Sequence, residues 1–375
     1  MNVLLTCVGR RNYLIQFFRE ALGGEGKVFA ADASMYAPAL READEAFVLP
    51  RLDDPDYLDR LLAICQERRV DLLISLNDYE LPLLARRRDC FRAIGTLPVI
   101  SSPAVIETCY DKWRSFLFLE ANGIPTARTY CSLDTARDAL ATGDIAFPLV
   151  VKPRWGSGSC GIEQVRDTEE LNLVYALATK RHAHFLPVEM SAADQAILIQ
   201  EWLEGKEYGL DVINDLDGRY AGTLARRKLL MRAGETDRAI TVRDAGLERL
   251  GERLGGALGH IGNLDCDLFV SGETCAVLEM NPRFGGGYPF AHAAGANLPA
   301  ALIAWARGET PDPAWLTVTP HLIAAKCDRI VAMSKSMSMN MSNELGVRGS
   351  EFRTLPTASL EPRTANSSLL IASSE

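Results

Sequence analysis

The stretch AVLEMNPRFGGGYP, residues 276–289, decides how we interpret the C-terminal half of the chain. It begins as an apolar strand, but Glu279, Asn281 and Arg283 interrupt the apolar run before three glycines follow. Because side chains alternate across a strand, these three residues share one face while Leu278 points to the other. A carboxylate, an amide oxygen and a guanidinium in a row are unusual for sheet packing. The plain alternative is a solvated strand edge followed by a loop.

The preceding segment, LDCDLFV, supplies a second strand with acidic residues on one face, namely Asp265 and Asp267. If the intervening turn at SGE pairs the two strands antiparallel, Asp267, Glu279 and Asn281 converge. Three oxygen donors with retained waters suit Mg²⁺ that is bound through the phosphates of a nucleotide. The guanidinium of Arg283 could then donate two hydrogen bonds to phosphoryl oxygens. The glycines that follow would let the chain turn away and leave room for a second substrate.

A glycine-rich loop follows a strand in VVKPRWGSGSCG, residues 150–161. Glycines let the backbone approach a ligand closely, and successive N–H groups can surround phosphate oxygens. The segment is not a Walker A loop, since no Gly-Lys-Ser/Thr follows the glycines, and a strand rather than a helix comes after it. A flexible hairpin with an exposed lysine is the alternative. The residues of interest are Lys152, Gly156, Ser157, Gly158 and Ser159.

A third candidate segment is ILIQEWLEGKEYGLD, in which an apolar strand runs into Glu201, Trp202 and Leu203. A strand that stops at a short linker offers backbone N–H and C=O groups that could hydrogen-bond an adenine edge. Glu207, a few residues further on, could accept hydrogen bonds from ribose hydroxyls. An ordinary strand–turn–strand unit explains the same pattern if this segment is considered alone.

Composition limits the class of protein. The chain has 375 residues, enough for two or three domains, and 47% hydrophobic with 24% charged residues is typical of a soluble globular protein. A net charge of -9 argues against a general nucleic-acid binder. No apolar run approaches a membrane span, and no Cys/His cluster has zinc spacing. We expect a cytoplasmic protein that binds neither nucleic acid nor membrane.

Strands alternate with helices over roughly the first hundred residues, which predicts an α/β fold that opens with a doubly wound parallel sheet. After this region the sequence pattern changes to strands, hairpins and a glycine-rich loop, which predicts a two-lobed α+β unit. The end of the chain is rich in Ser, Met and Asn with weak periodicity, which predicts a disordered or non-native tail. The predicted divisions are 1–105, 106–185, 186–333 and 334–375.

Together these motifs resemble the ATP-grasp superfamily. The combination is KP…GSGS…G, QEWLEGKEY and EMNPR, and the resemblance covers about residues 1–330. It is greatest to the branch similar to the carbamoyl-phosphate synthase large subunit and related carboxylate–amine ligases. The resemblance implies a doubly wound domain followed by a two-lobed ATP-grasp fold.

The resemblance also implies roles for individual residues. Lys112 and Lys152 look like the two basic residues that hold the ATP phosphates, and the loop at 156–161 looks like the flap over them. Glu201, Trp202 and Leu203 resemble the adenine-binding linker, and Glu207 looks like the ribose ligand. The implied Mg²⁺ ligands are Glu279 and Asn281, with Asp267 a third, and Mn²⁺ is an expected substitute. The implied catalytic residues are Arg283, Lys228 and Arg226.

The implied reaction joins a small-molecule carboxylate to an amine with consumption of ATP, through an acyl phosphate. Phosphoryl transfer needs positioning and charge neutralisation more than a covalent catalyst, which agrees with the abundance of cations and metal ligands. Two alternatives remain open: a regulatory ATP-binding protein without turnover, and a kinase-like activity that stops at a phosphorylated product. A homodimer is compatible with the resemblance.

The first domain offers polar residues where a doubly wound sheet binds ligands. Arg10 and Arg11 follow the first strand and could hold an anionic substrate group at a helix N-terminus. A solvated helix start is the equal alternative. Asn77, Asp78 and Glu80 follow a later strand of the same sheet and could meet an amine.

Overall fold

The computed structural model describes residues 1–156, 161–182, 196–272 and 274–333. The strands are β1 (Asn2–Thr6), β2 (Lys27–Asp32), β3 (Glu45–Val48), β4 (Leu72–Ser75), β5 (Leu97–Pro98), β6 (Thr129–Tyr130), β7 (Leu149–Pro153), β8 (Glu163–Val165), β9 (Ile197–Glu201), β10 (Lys206–Asn214), β11 (Tyr220–Arg232), β12 (Glu235–Val242), β13 (Gly262–Ser271), β14 (Thr274–Asn281) and β15 (Ile323–Ala325). The helices are α1 (Asn12–Leu22), α2 (Tyr57–Glu67), α3 (Leu81–Arg86), α4 (Arg88–Ala93), α5 (Pro103–Tyr110), α6 (Lys112–Ala121), α7 (Leu133–Thr142), α8 (Thr168–His182), α9 (Ala245–Leu258), α10 (Tyr288–Ala293) and α11 (Leu298–Ala306).

The first sheet is parallel, with strand order β3-β2-β1-β4-β5. Its central strands are continuous apolar runs because helices cover both faces, as parallel sheets require. The α1 face and the α2–α4 face each have a hydrophobic core. The predicted α/β class with an initial doubly wound sheet is therefore confirmed. The sequence analysis did not find β3, whose residues EAFV are only partly buried.

A six-stranded antiparallel sheet carries the C-terminal half, in the order β14-β13-β10-β11-β12-β15. Helix α9 packs on one face, and its apolar residues Leu247, Leu250 and Leu254 join the sheet side chains in a common core. Asp244 caps this helix by accepting hydrogen bonds from the N–H groups of residues 246 and 247. The opposite face of the sheet is left for the polar residues of β10, β11, β13 and β14.

A smaller antiparallel sheet, in the order β6-β9-β7-β8, lies between these two in sequence. Helices α7 and α8 cover it, and Leu149, Val151, Ile197 and Ile199 form its core. Strand β7 brings Lys152 to its C-terminal end, just before the glycine-rich loop. The small sheet therefore presents a buried lysine next to that loop.

The last long helix, α11, returns to the first sheet. Its residues from Leu298 to Ala304 are buried around nearly the whole helix, and they share a core with β1 and α1. At the same junction the ring of Phe17 stacks on that of His292 with 3.5 Å between ring centroids. A helix that is apolar on all sides must be covered on all sides, which explains why it lies between two parts of the chain.

The predicted domain divisions stay predictions. The predicted tail, 334–375, lies outside the described residues. Within the ranges that the structure describes, no helix is both long and apolar enough to cross a membrane.

Candidate active site

A cavity of about 290 Å³ opens between the sheets. Its walls come from the ends of β7 and β4, the polar face of the six-stranded sheet, and the loop after β14. This volume is at the lower limit for small-molecule sites. The predicted site residues that line it are Lys112, Lys152, Gly156, Glu207, Arg226, Lys228, Asp267, Glu279, Asn281 and Arg283.

The strand pair β13–β14 is antiparallel, with Asp267 opposite Glu279 and Asp265 opposite Asn281. The register shifts after Asp267, so that Leu268 pairs with Val277 and Leu278 is the extra residue of a β-bulge. Consequently Leu278 lines the cavity instead of pointing into the core. The prediction that side chains alternate strictly along residues 276–283 was wrong at Leu278. A bulge places two successive side chains opposite one partner, which interrupts the alternation.

Lysines hold the two predicted metal-binding carboxylates. Lys112 Nζ lies 3.1 Å from Glu279 Oε1 and also donates to the carbonyl oxygen of Gly156. Lys228 Nζ lies 2.7 Å from Asp267 Oδ1 and 2.7 Å from Glu207 Oε1. Burial raises the pKa of Glu279, but Lys112 and the nearby lysine and arginine charges outweigh it, so the pKa lies below its usual value. For Asp267, the effect of burial exceeds that of the Lys228 charge, so the pKa is raised.

Lys152 is buried and contacts no carboxylate among the described residues. Its Nζ donates to Gln200 Oε1 at 2.7 Å. Burial lowers the pKa of Lys152 to about 8, with Glu279 acting in the opposite direction and Lys112 adding to the decrease. A buried cation with only a neutral partner is costly unless an anion joins it. The position therefore favours a bound anion such as a phosphate group.

Arg283 joins two parts of the chain. It donates from Nη2 to Asp78 Oδ2 at 2.8 Å and from Nη1 to Asp265 Oδ2 at 3.0 Å. Burial by itself lowers the pKa of Arg283, but the two carboxylates raise it overall. Arg283 is thus fixed in its charged state between the loop after β4 and strand β13.

Arg226 shares the Asp265 carboxylate with Arg283 and is fully buried. It forms ion pairs with Asp211 and with Asp265, the latter at 3.0 Å. The glycines that follow Arg283 in the chain leave space for Arg226 and Asp265. A Cβ on Gly287 would lie 2.0 Å from Arg226 Nε, and a Cβ on Gly285 would lie 2.1 Å from the Asp265 carboxylate. These glycines are needed for close approach to a charged network, since neither has a positive φ.

Sequence reasoning gave no site role to Asp265 or Asp211, although both are central to this network. Asp265 accepts from two arginines, and Asp211 is completely buried. A signal was present in the sequence: each aspartate has apolar residues on both sides in its strand, and a carboxylate buried there must be paired. The sequence did not indicate the partners, because they come from other strands.

Several predicted ligand residues do not line the cavity. Glu201 accepts from the N–H of Arg128 at 3.2 Å, while Trp202 is exposed and Leu203 also lies outside the described walls. The adenine-binding role of 201–203 stays a prediction. The flap residues Ser157, Gly158 and Ser159 lie outside the described residues.

The first domain contributes Arg11, Asn77 and Asp78 to the cavity. Glu80 does not reach it, and the expectation that it could meet an amine was wrong. This carboxylate is fully buried and accepts three hydrogen bonds of 2.6 Å, from the hydroxyl groups of Thr6, Tyr57 and Ser75.

Arg10 and Arg11 differ in position. The side chain of Arg10 is 80% exposed and pairs with Asp328 on the outside. Arg11 faces the cavity and donates from Nη1 to the carbonyl oxygen of Leu76. Only one of the two arginines can therefore contact a ligand there.

The donor set fits a magnesium–nucleotide complex. Asp267 and Glu279 face each other across one register pair, and the carboxamide of Asn281 has no hydrogen-bond partner in the described part of the chain. No group of three or more His, Cys, Asp or Glu side chains forms a metal site within the described ranges. Two carboxylates and an amide leave positions for water and phosphate oxygens, as Mg²⁺ usually requires.

The order of the sheets and the residues that line the cavity agree with the ATP-grasp resemblance of the motifs, and family models match two parts of the chain. Residues 3–100 match the model "PylC-like, N-terminal domain". Residues 193–327 match the model "ATP-grasp in the biosynthetic pathway with Ter operon". Residues 193–327 therefore carry an ATP-grasp family domain, and the resemblance inferred from the motifs is confirmed.

Two curated relatives are ligases or synthases by name. The D-alanine–D-alanine ligase of Halorhodospira halophila is 30% identical over 105 residues, which is 28% of this chain and 30% of that protein. The carbamoyl phosphate synthase large chain of Deinococcus radiodurans is 30% identical over 286 residues, 72% of this chain and 26% of that protein. The matched region thus spans less than a third of either relative.

Solved structures show the same fold. The biotin carboxylase domain dimer of Hydrogenobacter thermophilus 2-oxoglutarate carboxylase, solved with MgADP, ADP and bicarbonate, superposes with a TM-score of 0.64. It is 19% identical, and the match covers 82% of this chain and 70% of that one. At this identity the likeness establishes the fold.

Proposed function

We propose that the protein is an ATP-dependent carboxylate–amine ligase that acts through an acyl phosphate and releases ADP and phosphate. The observation that carries the proposal is the meeting, in one cavity, of Lys112, Lys152, the Asp267–Glu279 pair and Arg283. The curated relatives named as D-alanine–D-alanine ligase and carbamoyl phosphate synthase support the same reaction class.

ATP would bind with its phosphates towards Lys112 and Lys152. Lys152 needs an anion to compensate its burial, and Lys112 already reaches the backbone at Gly156, where the glycine-rich loop begins. Glu207, which pairs with Lys228, is proposed for the ribose. Glu201, Trp202 and Leu203 are proposed for the adenine base, and Ser157, Gly158 and Ser159 for the triphosphate.

Asp267, Glu279 and Asn281 would hold Mg²⁺. The ion, when bound, supplies positive charge that offsets the phosphate oxygens and orients them. For the ion to bind, Lys112 and Lys228 must release the carboxylates that they now contact, and the phosphate oxygens offer both lysines a new anionic partner. We include Mn²⁺ as a substitute because the donors are all oxygen atoms.

In the first step a carboxylate oxygen of the acid substrate attacks the γ-phosphorus, and the bond to the ADP oxygen breaks. Arg283, fixed by Asp78 and Asp265, would offer N–H groups to the transferring phosphoryl group. In the second step the amine attacks the acyl carbon, phosphate leaves, and the amine proton is released to water. Arg226 would act on Arg283 through Asp265, which both arginines contact, and Lys228, once released from Asp267, would turn to the phosphate oxygens.

The test is ADP release from Mg-ATP with pooled small carboxylates, with and without pooled amines. A ligase releases ADP well above background only when both pools are present. ADP release with carboxylate alone, with no effect of amine, would indicate a kinase-like activity instead. Binding of Mg-ATP by calorimetry without release in any pool would indicate a regulatory protein.

Replacing Mg²⁺ by Mn²⁺ in the same assay is expected to retain turnover. We also propose a homodimer, since the Hydrogenobacter thermophilus relative is a dimer, and light scattering of the purified protein tests this directly.

A further inference from the structure

Most cations that line the cavity are ion-paired, but two of those described contact no carboxylate. Lys152 donates to the neutral Gln200, and Arg11 donates to the carbonyl oxygen of Leu76. Lys152 belongs to the phosphate end that the proposed function already uses. Arg11 lies on the first sheet and has no assigned ligand. The cavity-lining cations that do contact carboxylates are Lys112, Arg226, Lys228 and Arg283.

Arg11 and Arg283 both line the cavity and both contact the loop after β4. Arg283 contacts Asp78, and the preceding residue, Asn77, lines the cavity beside Leu76, whose carbonyl oxygen accepts from Arg11. One guanidinium N–H group of Arg11 is engaged there, and the others have no partner among the described residues. An arginine fixed at one nitrogen and free at the rest is suited to a carboxylate.

Asn77 adds a neutral donor at the same place. Its side-chain oxygen accepts from the N–H of Tyr79 at 2.8 Å, which leaves the amide nitrogen available. An arginine next to an amide N–H group offers two kinds of donor to a single carboxylate.

An acidic side chain lines the same cavity. Glu235 pairs with Lys326 at 3.0 Å. Partial burial raises the pKa of Glu235, but Lys326 and then the charges of Arg11 and Arg10 outweigh it, so the carboxyl stays ionised. Glu235 lines the same cavity as Arg11 and Asn77, so an anion and a cation border one space. A cation and an anion separated in this way match a ligand that carries both charges.

We propose that Arg11, with the amide of Asn77, binds the carboxylate of an amino acid that serves as the amine substrate, and that Glu235 faces its amino group. This inference rests on the proposed ligase function and names its amine substrate class. The carboxylate on Arg11 is not the one that reacts with ATP. Held by Arg11 and Glu235, the amino acid would present its amino group within the cavity that Arg283 also lines.

The experiment compares amino acids with their carboxamides, which lack the carboxylate charge. ADP release is measured with Mg-ATP, the carboxylate pool, and each amino acid or carboxamide, for the wild type and for Arg11→Met. Arg10→Met is the matched control, since Arg10 is the neighbouring arginine and lies on the outside. Wild type is expected to prefer amino acids by about 10- to 100-fold in kcat/KM, the loss typical of one charged hydrogen-bonding pair.

In Arg11→Met the ratio of kcat/KM for the amino acid to kcat/KM for its carboxamide should fall close to one. The KM for the amino acid should rise while the KM for ATP stays unchanged. Arg10→Met should keep the wild-type preference. A variant Arg11→Met that loses amino acid and carboxamide turnover equally, or that raises the KM for ATP, would overturn the proposal.

A binding measurement separates this inference from the ligase proposal. Calorimetry of the Mg-ADP-loaded protein with the same amino acids is expected to show binding to wild type and Arg10→Met, and loss of binding in Arg11→Met. If no acceptor raises ADP release but this binding pattern is found, the ligase function fails and the subsite stands. If wild type binds no amino acid, the subsite is wrong.

Discussion

Arg283 and Asp78 form an ion pair at 2.8 Å that connects the loop after β4 of the parallel sheet to the loop after β14 of the antiparallel sheet. The two residues are 205 positions apart in the chain. Both side chains are largely buried, with 9% and 14% of their surface exposed. The pair therefore fixes the proposed phosphoryl-binding arginine against the first domain.

We expect Asp78→Asn to lower both turnover and stability. It removes one charged acceptor of Arg283 but leaves Asp265, so the free energy of unfolding should fall by about 1–3 kcal/mol. Denaturant unfolding and ADP release measure the two effects. The control is Asp59→Asn, which removes an exposed aspartate 3.8 Å from Arg87 and should change little. Equal losses in the two variants would contradict the bridging role.

Replacing Glu279 by glutamine should lower Mg-ATP-dependent turnover by about 100-fold or more while the protein stays folded. The substitution keeps the shape but removes the charge that faces Asp267 across the strand pair. Titration of activity with Mg²⁺ and a circular dichroism spectrum check the two statements. Exposed Glu309→Gln is the control. Near-wild-type activity in Glu279→Gln would remove the metal site.

A methyl group at position 287 should not fit. In Gly287→Ala the new carbon would lie 2.0 to 2.2 Å from the Arg226 guanidinium, so the buried Arg226–Asp265 pair must move. We expect a loss of about 1–3 kcal/mol in the free energy of unfolding, or more, because overpacking strains a rigid core.

The matched control for that variant is Gly256→Ala. This glycine lies within α9, and nothing lies within 4 Å of the position of its Cβ. Alanine there should stabilise the helix by about 0.5–1 kcal/mol. Thermal unfolding of the two variants should therefore shift in opposite directions. A neutral result for Gly287→Ala would mean that Arg226 is free to move.

The affinity for Mg-ATP should fall at alkaline pH. Because the pKa of Lys152 is about 8 in the free protein, the side chain loses its charge above that pH, whereas phosphate binds the charged form. The dissociation constant should rise by up to about tenfold per pH unit above pH 8. Calorimetry between pH 7 and 9.5 measures it. Lys152→Arg should remove most of this dependence, because arginine stays charged.

The parallel sheet and the class of fold could be predicted from the sequence because their signals are local. An apolar run such as Asn2–Thr6 followed by an amphipathic helix identifies a β–α unit without any knowledge of distant residues. The antiparallel pairing of β13 and β14 could be anticipated for the same reason, since a short turn joins the two strands.

The bulge at Leu278 and the partners of the charged residues could not be predicted in this way. Leu278 faces the cavity because the register shifts by one residue, and no local pattern marks that shift. Glu80 looked like a site residue, but three hydroxyl groups from other elements surround it. Burial and pairing are properties of the packed chain, and they decide whether a carboxylate is structural or available.

By itself, the sequence determined which residue types were present for phosphate and metal chemistry, since Lys152, Glu279, Asn281 and Arg283 are found in recognisable segments. Only the tertiary structure decided which of them share a cavity with Arg11 and Asp78, and that α11 packs against α1. The physical reason is that strand and helix signals act over a few residues. Ion pairs and cores join residues hundreds of positions apart, and only folding brings these together.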